Sequence, residues 1–439
     1  MIAAAAKKVS SLKSLKFSDM KLGQCEEARD LIMDTAKSKN WSVTPEGRQA
    51  FERYISATAM ENRAQMEYKF EIATIDGRIA ALIETRKTDC ISMLCVHPDY
   101  ARLGIGSRLV YRAASACAVR GLKKLTTYVS DEDIGFYERV GFTQCGDRNE
   151  TLGIPSTPYK LSMSPFDKKP PSKLISSSVE LFVFSGTGNT LLVAREMSGA
   201  LRNEGKDVRL RDMNAKTGAI LTNLDDDTAI GLAFPVACFS TYPSVWRFIE
   251  SMPLGYGREI FILSTCGGFS GGMQGPLGEI LSKKGYRPVS AKFFIMPGNY
   301  GNKTIPAEKN AHRLEKALSD ARAFASDLLA GKASWGGYPW GARFTHWLAQ
   351  TRAPWNFFYR MFPILADKAK CTRCSLCVSI CPAYAITKDE DGYPIVNGRG
   401  CESCQRCVGF CPSGALGNPK KPAAQYRAMN YEEFKITNR

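Results

Sequence analysis

Apolar positions along the chain follow two different periods, and the changes between them mark the elements. Alternating runs at 68–75 and 78–86 flank Asp76-Gly77, a pair suited to a tight hairpin. Residues 90–96 and 124–129 read as further strands, and between them a helix follows the glycines at 104 and 106 to about residue 119. From residue 179 onward strand and helix alternate. Apolar runs at 179–184, 228–235, 259–265 and 292–296 are interleaved with helical spacing at 191–201, 242–251, 276–283 and 307–329. This rhythm predicts a doubly wound parallel sheet, an α/β unit, behind an α+β N-terminal third.

Composition narrows the picture. The 439 residues exceed one ordinary core, so several domains are expected, and 44% hydrophobic with 23% charged residues suits a globular protein. The start of the chain has no apolar signal-like core, and no run of about twenty apolar residues occurs, so no integral membrane segment is expected. The net charge of +16 is spread without a dense basic arm, which argues against a nucleic-acid partner.

The densest chemistry is C-terminal. Cys371, Cys374, Cys377 and Cys381, then Cys401, Cys404, Cys407 and Cys411, each follow C-x2-C-x2-C-x3-C-P. This is the bacterial-type ligand pattern for a pair of [4Fe–4S] clusters, in which the fourth cysteine of each run ligates the other cluster. Cluster I would take Cys371, Cys374, Cys377 and Cys411; cluster II would take Cys401, Cys404, Cys407 and Cys381. Structural zinc uses C-x2-C pairs but gives no reason for the third cysteine or the repeated C-P. The other seven cysteines are scattered and read as buried or site-lining thiols of a reducing cytoplasm.

Two seams divide the chain into 1–166, 175–333, an aromatic linker at 334–366, and 367–420. The polar, proline-bearing stretch 166–173 reads as a linker. The linker 334–366 holds Trp335, Trp340, Trp347 and Trp355, four of the six tryptophans. A membrane-surface or partner helix is one reading. Packing between two domains with redox centres, which need a fixed and dry contact, is preferred.

The first strand of the α/β unit runs into Ser185, Gly186, Thr187, Gly188, Asn189 and Thr190 and then a helix, a turn that aims donors at an anion. No lysine follows as in a triphosphate loop, and no dinucleotide fingerprint is present. The hexapeptide resembles the FMN-phosphate loop of flavodoxins. By position in that fold, the loops with Cys238, Phe239, Ser240, Thr241 and Tyr242 and with Cys266, Gly267, Gly268 and Phe269 would hold the flavin. Residues 175–420, including Pro297-Gly298-Asn299-Tyr300, resemble anaerobe proteins that fuse a flavodoxin-like domain to a two-cluster ferredoxin. That resemblance implies electron exchange between FMN and the clusters, and a redox partner protein or small-molecule acceptor.

In the N-terminal third, strand 90–96 opens into Arg102, Leu103, Gly104, Ile105, Gly106 and Ser107 at a helix start, a pyrophosphate cradle by physics alone. About thirty residues on comes Gly135-Phe136-Tyr137-Glu138-Arg139-Val140-Gly141-Phe142. The pair resembles the GNAT acetyltransferases over residues 15–165. The resemblance implies acetyl-CoA on the first loop and Tyr137 as the acid that protonates the departing thiolate. Ala101 and Asp133 depart from the usual pattern. Glu84, near a strand end, is the candidate base. The expected whole is an iron–sulfur flavoprotein fused to an N-acetyltransferase. Its rivals are an acetyltransferase with a regulatory redox half and an electron carrier with an acyl-CoA-sensing domain.

Overall fold

The computed structural model describes residues 14–38, 44–87, 89–151, 154–162, 172–214, 220–221, 224–268, 272–298, 307–336, 341–418 and 426–436. Phe269, Trp340, Asn299 and Tyr300 lie outside them.

The N-terminal unit is an eight-stranded mixed sheet. In chain order it comprises β1 (Lys16–Asp19), helices α1 (Cys25–Lys37), α2 (Pro45–Tyr54) and α3 (Ala57–Ala64), and the hairpin β2 (Tyr68–Ile75) and β3 (Arg78–Arg86). Next come β4 (Cys90–Val96), α4 (Ile105–Val119), β5 (Lys124–Val129), α5 (Ile134–Arg139), β6 (Thr143–Gln144), β7 (Asn149–Thr151) and β8 (Ile154–Ser162). The strand order is β1-β2-β3-β4-β5-β8-β6, with β7 on β8. Every pairing is antiparallel except β4 with β5, which run parallel and meet at two rungs, Cys90 with Thr126 and Ile91 with Thr127. Beyond those rungs the two strands have no pairing with each other, which opens the sheet at their carboxyl ends. The three early helices escaped the sequence reading. Their buried positions, such as Ala28, Leu31 and Ile32 in α1, are sparse among charged residues.

The second unit is a five-stranded, wholly parallel sheet. Its elements are β9 (Ser178–Val183), α6 (Asn189–Asn203), β10 (Asp207–Asp212), β11 (Thr228–Pro235), α7 (Pro243–Ser251), β12 (Glu259–Cys266), α8 (Gln274–Lys283), β13 (Arg287–Ile295) and α9 (Ala307–Ala330). The order is β10-β9-β11-β12-β13, so β9 lies between β10 and β11 and the winding reverses there. Two cores cover the sheet, one with α7 and α8 and one with α6 and α9. β10 had no apolar run to announce it, because Val208 and Leu210 alternate with charges on an edge strand. The last strand begins at Arg287, five residues before its apolar run.

The first unit docks on the amino ends of these parallel strands through α4. Arg108 pairs with Asp227, which precedes β11, and Arg112 lies 3.8 Å from Asp226. The Phe17 N–H donates to Asp226 at 3.1 Å. The Arg287 guanidinium, at the start of β13, sits 4.2 Å over the Tyr111 ring.

After α9 come α10 (Ala342–Gln350) and α11 (Arg352–Met361), followed by a small unit carrying β14 (Leu365–Ala366), α12 (Leu376–Ser379), β15 (Ile386–Lys388), β16 (Pro394–Val396), α13 (Arg406–Gly409) and β17 (Leu416–Gly417). Residues 426–436, with α14 (Tyr431–Phe434), return to the parallel-sheet unit. The aromatic linker departs from the sequence expectation. Trp335 and Trp355 are buried as packing residues should be, but Phe344, Trp347 and Phe357 face solvent. Among the described residues no helix is long and apolar enough to cross a membrane.

Candidate functional site

The two cysteine runs fold alike. In the first, Arg373 and Ser375 take φ of +58° and +63°; in the second, Ser403 and Gln405 take +54° and +62°. These left-handed residues curl each run so that successive thiols turn inward, and a four-residue helix follows each time. N–H groups point at sulfur in matched places. Arg373 donates to Cys371 (3.4 Å) and Ser403 to Cys401 (3.3 Å), while Ala385 and Ala415 donate to Cys381 and Cys411 (both 3.3 Å). Such donors stabilise thiolate and tune cluster potential.

The thiols gather as two crossed sets. Cys371, Cys374, Cys377 and Cys411 line one hollow. In the other set, Cys401 and Cys381 both act electrostatically on Cys404 and Cys407. Burial pushes Cys404 up to about 12 and Cys407 upward too, so loading iron there must displace protons. The sets differ in exposure: Cys404 and Cys407 are buried, and Cys374 is exposed.

The run at 401–411 is clamped to the carboxyl end of the parallel sheet. Arg406 donates to the Ser185 carbonyl from Nε (3.0 Å) and Nη2 (2.8 Å), held between the rings of Phe184 and Phe434. Glu402 accepts from the Ser244 N–H (3.1 Å), the Ser244 hydroxyl (2.6 Å) and Arg247 (2.9 Å). Sequence reading missed both residues, since positions between ligand cysteines carry no periodic signal. An open cleft of about 610 Å³ borders Ser185, Cys381 and Arg406.

The loop 185–190 is buried except at Asn189, which is half-buried. Its Ser185 hydroxyl accepts from the Gly188 N–H (3.1 Å), and the Thr190 hydroxyl meets that of Thr265 (2.8 Å). Gly188, at φ +102°, begins α6 and leaves the first N–H groups of the helix without intrahelical carbonyls, a donor set suited to a phosphate. The C-terminal strap covers the outer side: the Ala428 N–H donates to the Thr187 carbonyl and the Tyr426 hydroxyl to Asn189 (2.6 Å). Two loops flank it. In one, Cys238 and Phe239 have φ of +49° and +60°, which lifts the Phe239 ring into solvent, while Ser240, Thr241 and Tyr242 are buried. In the other, Cys266 is buried and Gly267 and Gly268 are exposed. Burial pushes the Cys238 thiol up to about 12.

At the far end of that sheet, Arg102 (φ +64°) and Gly104 (φ +80°) turn the chain into α4, and the N–H groups of Ile105, Gly106 and Ser107 start the helix without intrahelical acceptors. Ile175, from the segment joining the two units, packs on this turn; a Cβ at Gly104 would run into its Cγ2. Tyr137 sits where β4 and β5 part. Its ring stands edge-on to Phe136 and Phe142, its hydroxyl contacts Thr127, and burial raises its pKa above the ordinary tyrosine value. Glu84 does not meet the expectation for a base. It is fully buried, with Arg63 Nε at 2.6 Å and the Tyr54 hydroxyl at 3.1 Å. Burial pushes its carboxyl upward against the pull of both partners. Glu84 thus ties α2 and α3 to β3 instead of facing an open site.

Residues 40–163 match the family model described as an acetyltransferase (GNAT) domain, and residues 370–416 match the 4Fe–4S dicluster domain. No curated protein matches the chain. Solved structures similar to the N-terminal part include a GCN5-related N-acetyltransferase from Rhodopseudomonas palustris, at 19% identity over 34% of this chain and 96% of that one, with a TM-score of 0.31. PaiA N-acetyltransferase from Thermoplasma acidophilum, solved with coenzyme A, is 17% identical over 34% and 99%, with a TM-score of 0.29. The ribosomal-protein-S18-alanine N-acetyltransferase from Escherichia coli is 21% identical over 35% and 96%, with a TM-score of 0.28. The chain therefore carries an acetyltransferase domain of the GNAT family and a 4Fe–4S domain of the ferredoxin kind, joined through a parallel α/β unit.

Proposed function

We propose that the C-terminal two-thirds exchange electrons between FMN, held at Ser185 to Thr190, and two [4Fe–4S] clusters, while the N-terminal domain transfers acetyl from acetyl-CoA to an amine. The contact of Arg406 with Ser185 carries the electron-transfer reading, because it joins the inner cysteine run directly to the phosphate-type loop. The strand order 2-1-3-4-5 supports it, since that order is the flavodoxin-like one and its ligands lie at the switch point, here between β9 and β11. Bound flavin supplies two-electron chemistry and each cluster takes one electron at a time. The chain's own residues set the order. With Cys404 and Cys407 buried in the run whose Arg406 contacts Ser185, cluster II would lie on the side of the flavin loop, and with Cys374 exposed, cluster I would face an outside partner.

Converting both Thr187 and Thr190 to alanine tests the flavin site. Two lost hydroxyl contacts at about 1 kcal/mol each should weaken FMN retention roughly 30-fold and leave iron content unchanged. Purified protein containing FAD, or failing to take up added FMN, would show the assignment to be wrong.

For the acetyltransferase half, Tyr137 is protonated at neutral pH, as any tyrosine of ordinary or raised pKa is and as a proton donor to the leaving thiolate must be. Tyr137→Phe should lower amine acetylation by about 10² or more while acetyl-CoA affinity stays within a few-fold. Equal turnover by wild type and variant would remove Tyr137 from the reaction. Tight acetyl-CoA binding with no turnover on a broad amine panel would favour the acyl-CoA-sensing alternative.

A further inference from the structure

Helices α10 and α11 are built inside out. α10 buries Ala342 and Ala349, yet Phe344, Trp347 and Leu348 are 63%, 59% and 39% exposed. α11 buries Trp355 and leaves Phe357 at 61% and Met361 at 44%. The spacings i, i+3, i+4 and i, i+4 place each set on one helical face, and the Phe344 and Trp347 rings lie 5.9 Å apart. Single exposed apolar residues are ordinary, but apolar stripes on two helices that pack together mark an interaction surface.

Charge identifies what this surface meets. From Ser334 to Ala366 the chain has Arg343, Arg352 and Arg360 and not one aspartate or glutamate. Arg343 lies 3.4 Å from Glu279 of α8 and remains 67% exposed; Arg360 is exposed. We propose that α10 and α11 dock flat on an anionic lipid surface. Trp347, Phe344 and Phe357 would enter the boundary between headgroups and acyl chains, and Arg343 and Arg360 would meet lipid phosphates. Exposed Trp and Phe beside arginine, with no acid in the helices' own sequence, is the composition of helices that lie in a bilayer interface. With nine and ten residues, each helix is about 14–15 Å long, too short to span and long enough to lie in the plane. A second copy of the chain is a poor occupant, because it would bring arginines against arginines.

Flotation of the anaerobically purified, iron-loaded full chain tests this. Vesicles of about three parts phosphatidylcholine to one part phosphatidylglycerol should carry the protein upward, and pure phosphatidylcholine should carry far less. Raising salt from about 0.1 M to about 1 M should weaken the association. Trp347→Glu with Phe357→Glu should cut the floated fraction at least about tenfold with iron content intact. Should that pair disturb iron loading, Phe344→Ser with Trp347→Ser replaces it and carries the same expectation. Wild type that stays at the bottom with anionic vesicles, or a charge-reversed chain that floats equally well, overturns the proposal. So does a wild-type dimer, without vesicles, that Trp347→Glu turns into monomer.

Discussion

Replacing Cys381 with alanine should halve the iron, from about eight to about four atoms per chain, and the surviving cluster should be the outer one. The side chain belongs by sequence to the first run, yet it lies close enough to act on Cys401, Cys404 and Cys407 of the second. Losing it removes one of four ligands from the buried set and leaves Cys371, Cys374, Cys377 and Cys411 complete. Iron and labile sulfide counts on anaerobic protein, with low-temperature paramagnetic spectra of the reduced state, decide the matter. Loss confined to cluster I, or zinc in place of labile sulfide, would sink the crossed assignment. Cys411→Ala should give the mirror result.

Gly106→Glu should weaken acetyl-CoA binding by at least about 100-fold, close to 3 kcal/mol. A Cβ at this position already approaches Val96 at 3.2 Å and Phe136 at 3.6 Å, so the added side chain is forced toward the loop. A carboxylate there also occupies the donors that open α4 and repels a pyrophosphate. The full chain should keep its iron, because the substitution lies at the opposite end of the parallel sheet from the cysteine runs. Calorimetry showing the same affinity in wild type and variant would place the coenzyme elsewhere.

The elements closest to these sites were the easiest to read from sequence. The hairpin about Asp76-Gly77, the strand Cys90–Val96 and the helix ending at Val119 all lie where their periodicity predicted, because each is half buried and its pattern is clean. β10 and the three early helices were not legible, since charged residues dilute their buried positions. The cysteine runs stood out through spacing alone, and residues 370–416 match a 4Fe–4S dicluster domain. Arg406 and Glu402, which bind the inner run to the α/β unit, could not be found that way, because a long-range contact of this kind leaves no local pattern. Glu84 shows the reverse error. A carboxylate near a strand end looks available in sequence, and only the fold brings Arg63 and Tyr54 onto it. The linker misled for a related reason: aromatic density says that surface is to be covered, not by what.

Ile175 gives the packing of α4 a thermodynamic meaning. Its side chain rests on Gly104, at the turn whose N–H groups would receive the coenzyme, and its own N–H is held by Glu259 at the foot of β12. One residue thus belongs to two equilibria, seating of the N-terminal domain and occupation of its loop. Coupling of this kind is reciprocal: by whatever factor the seated Ile175 lowers acetyl-CoA affinity, bound acetyl-CoA loosens the seating by the same factor. The acetyl-CoA affinity of an Ile175→Ala chain, compared with wild type, reads the size of that factor. The parallel strands between this contact and the cysteine runs are six to nine residues long, which at about 3.3 Å per residue separates the two ends by roughly 20–30 Å. Coenzyme level would therefore act on the redox end only as a change in how firmly the two halves are held together, and a ligand indifferent to seating would change nothing there.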